Sequence, residues 1–192
     1  MNNIRNYTDY LVDLVYDRIE TFFGSNSIDN IIQNNIIIPH IHNKNMLSYH
    51  EYYFKVVGNE KYFLEIASDV FFKVQAGWTR RDIASYRHLL GDQLASEYER
   101  HFAEMKEQGV LSKLESIAIR NVEIVVAGSE NGEDFVTVLF TANLLDYKVD
   151  EKSGDIIEGS DTEPVKFVEE WTWARPIRTE DWKLEGIKVI EG

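Results

Sequence analysis

The apolar residues of this chain change their period at Gly109. Upstream, Phe63, Ala67, Val70, Phe71, Val74 and Trp78 recur at helical spacing from Glu60 onward, and Leu94, Tyr98, Phe102 and Met105 do so between Asp92 and Gly109. Between them Thr79, with Asp82 three places on, has the form of a capping box for a short helix carrying Ile83, Tyr86, Arg87 and Leu90, stopped by Gly91. Downstream the pattern alternates. "LESIAIRNVEIVVAG", "EDFVTVLFTANLLDYKVD", "VKFVEEWTWARP" and "WKLEGIKVIEG" read as strands, with a short extra one at "DIIEG". Asn131-Gly132 and "DEKSGD" supply hairpin turns. Helices followed by strands predict an α+β domain, its N-terminal helices packed on one face of an antiparallel sheet of about four to five strands.

Clear patterning starts only near Glu60, so the expected organisation is an N-terminal extension over 1–58 and an α+β domain over 59–192. Within the extension, Leu11, Leu14, Val15, Ile19, Phe22 and Phe23 form a helical apolar stripe ended by Gly24, suited to docking on a partner or a membrane. Its polar face carries Asp9, Asp13, Asp17 and Glu20, a charge sign that favours protein over lipid as the docking surface. The Asn/Ile-rich stretch that follows, with Ile36 to Ile38, reads as a linker. "MLSYHEYYFKVV" fits strand and helix alike.

The 20 basic and 33 acidic residues leave a net charge of −13, which repels phosphate backbones and argues against nucleic acid as a partner. With no cysteine, thiolate metal sites and cysteine nucleophiles are excluded, and a reducing cytoplasm suits the chain. No secretory or transit signal is legible, and no apolar run approaches the roughly 20 residues of a spanning helix. A cytoplasmic protein, peripheral at most to the inner membrane, is the expectation. His40 and His42, with His50 and Glu51 downstream, lack the compact spacing of a metal site, so neither metal nor other cofactor is expected.

Candidate chemistry concentrates in "FVEEWTWARP". Alternation places Phe167, Glu169, Trp171, Trp173 and Arg175 on one face of the strand. Such rings either pack as core under the helices or floor a pocket for an acyl chain or apolar peptide. Glu169 on that face needs a partner, and Arg81 or Arg87 from the helices would make a structural ion pair. Unpaired, it is a candidate general base, with Tyr86 or Tyr98 as the acid. Asp82 is expected to cap the short helix. Arg80, Arg81 and Arg87 form a basic cluster beside Trp78, open to a phosphate headgroup or to acidic neighbours.

Phe71, Gln75, Trp78 and Asp82, then "YRHLL", the acidic hairpin "DYKVDEKSGDIIEGS", "FVEEWTWARP" and "WKLEGI" together resemble the Tim44-like domain, over about Glu60 to Ile187. That family includes the C-terminal domain of a mitochondrial inner-membrane translocase subunit and bacterial relatives. The resemblance implies a cone-shaped, nuclear transport factor two-like fold in which helices close over a strongly bent sheet. It also implies inner-membrane association, lipid contact, attachment to a membrane-associated protein assembly and no established catalysis. On this reading Phe71, Trp78, Tyr86, Phe102, Phe140, Glu169, Trp171 and Trp173 would line a pocket for a lipid, fatty acid or apolar peptide, in a bacterial adaptor. A small isomerase or hydratase using Glu169, and a purely structural adaptor, are the alternatives.

Overall fold

The computed structural model describes residues 59–190. The Leu11 to Phe23 stripe, the Asn/Ile-rich stretch and the His40, His42, His50 and Glu51 set lie outside the described residues. Asn59 opens helix α1 (Glu60–Arg80) from an extended backbone, its side chain accepting a hydrogen bond from the Tyr62 N–H at 3.0 Å. The stripe expected from the sequence, Phe63, Ala67, Val70, Phe71, Val74 and Trp78, is the buried face of α1. Arg81, at φ 50, adopts the left-handed conformation, and its N–H closes the helix on the carbonyls of Gly77 and Trp78.

This ending corrects the capping-box expectation. Thr79 lies inside α1, and its hydroxyl instead accepts the Leu114 N–H at 3.0 Å, tying the end of the helix to the sheet. The expected second helix is reduced to a single 3-10 turn, Arg87–Leu89. Packing supplies the reason. Tyr86 turns inward against α1 so closely that a Cβ on Gly77 would stand 1.9 Å from the tyrosine ring, and this position accepts only glycine. Helix α2 (Asp92–Gln108) then begins at Gly91, whose N–H donates to the Leu184 carbonyl at 2.8 Å. It ends as expected at Gly109, left-handed at φ 67. Leu94, Tyr98, Phe102 and Met105 face inward.

Five strands follow: β1 (Val110–Glu130), β2 (Glu133–Asp150), β3 (Ile156–Gly159), β4 (Val165–Pro176) and β5 (Lys183–Val189). All pairings are antiparallel, in the order β1-β2-β4-β5, with β3 lying against the end of β2. The arrangement is α+β, helices first and then an open antiparallel sheet. Asn131 (φ 51) and Gly132 (φ 87) make the two-residue turn between β1 and β2, both left-handed as such a hairpin requires. Three register shifts interrupt the pairing of β1 with β2, and bulges of this kind bend a sheet and increase its twist. Along β2 the even positions Val136, Val138, Phe140, Ala142 and Leu144 are buried. They face the helices, in register with the aromatic side of β4: Val136 opposite Trp173, Val138 opposite Trp171, Phe140 opposite Glu169.

Candidate functional site

Two ring clusters occupy the space between helices and sheet, and the residues expected to line one pocket divide between them. In the first, Phe71 of α1 stacks on Phe140 of β2 with centroids 4.7 Å apart and lies 5.0 Å from Trp171, which is followed by Trp173 at 6.2 Å. In the second, Trp78 meets His101 face to face at 4.9 Å and Tyr98 and Phe102 edge-on at 5.2 Å, with Tyr86 6.4 Å from Tyr98. All of these side chains are buried, and both clusters belong to one continuous core. Ring pairs at these separations each contribute about 0.5–1.5 kcal/mol beyond the area they bury.

Glu169 sits at the edge of the first cluster, 2% exposed. The expected arginine partner is absent there: Arg81 pairs with Glu151, and Arg87 reaches Asp92 at 3.2 Å and Glu99 at 3.5 Å. Arg175, further along the same strand, bonds Asp134 at 3.2 Å and lies over the Trp182 ring. The hydrogen bond to Glu169 comes from the Trp171 indole N–H, 2.8 Å from Oε2, two residues on and therefore on the same face. Burial pushes the Glu169 carboxyl up to about 7; the indole bond lowers it and the Asp146 charge raises it further. Glu169 thus takes a hydrogen bond from an indole rather than forming an ion pair, and burial keeps its carboxyl protonated well above the usual carboxylate range.

Further polar groups lie in or beside the two clusters; Gln75 and Tyr86 were among the residues named from the sequence, whereas Asp146 and His101 were not. Asp146 continues the inward-facing even series of β2, and burial raises its carboxyl to about 6, with Lys148 opposing the shift and Glu158 adding to it. His101 is pushed down to about 4 by burial and by the cations Lys148 and Arg100. Gln75, one turn after Phe71 on α1, is fully buried, and its amide finds no hydrogen-bond partner among the described residues. The same holds for the Tyr86 hydroxyl, whose pKa is raised by burial and then by the Asp82 charge. An amide one turn beyond Phe71 and an aspartate closing an alternating apolar series were the available sequence signals.

Outside the core, an open groove of about 740 Å3 runs between the first turns of α1 and the edge strand β1. Leu64 and Ser68 of α1 and Val122 of β1 line it, with Asn59, Glu60, Lys61 and Glu65 at its rim. Leu64 and Val122 also touch the core beneath. Nearby on α1, Tyr62 is 63% exposed. Among the described residues, no helix is long and apolar enough to cross a membrane, and no set of His, Asp or Glu side chains is grouped to hold a metal ion.

Helices covering one face of an open antiparallel sheet, with an aromatic last-but-one strand, define a small α+β domain. Residues 59–189 match the Tim44-like domain, and the chain belongs to that family, whose general role is that of a non-catalytic, membrane-associated adaptor. Among solved structures, the chain is similar to the intermembrane space region of the chloroplast protein ARC6, at 12% identity and a TM-score of 0.44, over 67% of this chain and 97% of that one. A periplasmic fragment of TraM matches at 13% identity and a TM-score of 0.32, over 59% of this chain and 81% of the other. No curated protein matches the sequence.

Proposed function

We propose that this protein is a non-catalytic adaptor of a membrane-associated assembly, and that it holds a protein partner in the groove between α1 and β1. The observation that carries this reading is the contrast between two apolar surfaces. The aromatic face of β4 is occupied by the protein's own rings, whereas the groove over Leu64 and Val122 opens to the outside. Half-buried Leu64 and Val122, with polar residues around them, are the apolar contact this reading uses. The Leu11 to Phe23 stripe serves in this proposal as the second contact, docking the chain on the assembly.

A photo-crosslinking side chain placed at Ser68 in the full chain should yield a discrete adduct in the membrane fraction of the host. The same probe at Lys166, exposed on β4, should not. Identical adducts from both positions, or none from Ser68, would remove the basis for the reading.

A second reading is favoured by Glu169 and Gln75. A carboxyl raised by burial and a buried amide without a partner among the described residues are its motive, and it requires the packed rings of Phe71, Phe140, Trp171 and Trp173, with Trp78, Tyr86 and Phe102 deeper in the core, to part for a lipid or fatty acid. In its catalytic form, as an isomerase or hydratase, Glu169 is the general base, and its raised pKa is what such a base requires.

A further inference from the structure

We propose that Asn131 is a site of spontaneous covalent modification, its side-chain amide cyclising onto the Gly132 backbone nitrogen and opening to a mixture of aspartate and isoaspartate. Asn131 and Gly132 form the turn between β1 and β2, and both are exposed. No hydrogen bond holds the Asn131 side chain among the described residues. The Gly132 N–H likewise donates to no carbonyl there, whereas the Gly132 carbonyl accepts from the Ile177 N–H at 3.0 Å. An unheld carboxamide and an unheld backbone nitrogen are therefore neighbours in open solvent.

The other described asparagines lack this combination. Asn59 is engaged in capping α1, and Asn121 donates to Glu123 at 3.0 Å. Asn143 lies inside β2, paired with β1 on one side and β4 on the other. The residues that follow Asn121 and Asn143 are Val122 and Leu144, whose side chains crowd the nitrogen that must attack. Gly132 has no side chain and tolerates both signs of φ, so the turn peptide can rotate towards the carboxamide while the flanking pair of Glu130 with Glu133 holds the strands.

Resonance ties up the lone pair of a peptide nitrogen, so the Gly132 nitrogen attacks after losing its proton to hydroxide. It bonds to Cγ of Asn131, the side-chain nitrogen leaves as ammonia, and a five-membered succinimide closes. Water then opens the ring on either side of the Gly132 nitrogen, with no change of oxidation state. Cleaving the bond to Cγ leaves an ordinary backbone bearing a carboxylate. Cleaving the bond to the main-chain carbonyl sends the backbone through the side chain, one carbon longer. Either product adds a negative charge to a chain already at −13. The longer one departs from the two-residue geometry set by φ 51 and φ 87, which breaks the Ile177 bond to Gly132 and loosens this end of the sheet.

The test ages the full folded chain in warm buffer at pH 5 and pH 8 and follows the tryptic fragment that runs from Asn121 to Lys148, which carries Asn121 and Asn143 as internal controls. A one-dalton mass gain should appear at Asn131, faster at pH 8 than at pH 5, and the converted fragment should split on chromatography into aspartate and isoaspartate forms of equal mass. Asn131→Gln, which keeps the amide but needs a larger ring, should lose the gain at that position. In the aged protein the Ile177 amide should exchange with solvent faster than in fresh protein. No gain at Asn131 in the folded chain, while a sample unfolded in urea converts, would mean that the hairpin shields the turn and would overturn the proposal. So would equal gain at Asn121 or Asn143, equal rates at the two pH values, or aspartate without isoaspartate, which is direct hydrolysis rather than ring closure.

Discussion

Replacing Trp171 by alanine is expected to destabilise the domain by about 5 kcal/mol, the largest effect of any single substitution in the sheet. Two losses combine. The indole is fully buried against Phe71 and Phe140, and truncating a buried tryptophan costs about 3–5 kcal/mol through lost transfer energy and the void left behind. The same change takes the N–H from Glu169 and leaves a buried carboxyl without its donor, worth about 1–3 kcal/mol more. Against a total stability of about 5–15 kcal/mol, the variant should be marginal or unfolded at room temperature. Trp171→Phe separates the two losses, keeping a ring while deleting the N–H, and should cost less than half as much. Urea unfolding followed by far-ultraviolet circular dichroism measures both. Equal midpoints for wild type and Trp171→Ala would mean that the β4 face is not the packed centre described above.

Glu169 should make stability fall as the pH rises through the neutral range. Its ordinary value is 4.5 and its folded value about 7, so between these limits the native state holds a proton that the unfolded chain has released. Stability from this group is therefore fully present below pH 4.5 and is lost as the pH rises through 7. The rise of about 2.5 corresponds to about 3 kcal/mol at 1.36 kcal/mol per unit. Asp146, raised from 3.8 to about 6, pulls the same way over a lower window. His101, lowered from 6.5 to about 4, does the reverse, costing stability as the pH falls through that range. Glu169→Gln removes the first contribution and, with it, the coupling to Asp146. Relative to their difference at pH 5, the variant should gain about 3 kcal/mol on wild type by pH 8. Parallel stability profiles would show that Glu169 is charged in the fold.

The residues that announced themselves in the sequence were those whose role is set by local periodicity. The alternation of β4 placed Glu169 beside Trp171, and the Asn131-Gly132 pair fixed the first hairpin, because strand and turn geometry reach only a few residues. Thr79 and Asp82 misled for the complementary reason. A capping pattern is local, but the Tyr86 ring packed on Gly77 and the Thr79 bond to Leu114 are tertiary, and they decided where the helix stops. The partner of Glu169 was likewise sought among distant arginines, which acidic neighbours closer at hand had already engaged. The groove was invisible in sequence because Leu64 and Val122, one on a helix and one on a strand, meet only through the fold.

The most direct measurement is an NMR titration of the full chain that follows the indole N–H signals of Trp78, Trp171, Trp173 and Trp182 together with the amides of Leu64, Ser68 and Val122. Oleic acid is added in steps. The account predicts that it shifts neither set of signals and that the Trp171 indole stays where its bond to Glu169 holds it. Indole signals of Trp171 and Trp173 that move on adding oleic acid would contradict it and return the ligand to the aromatic interior.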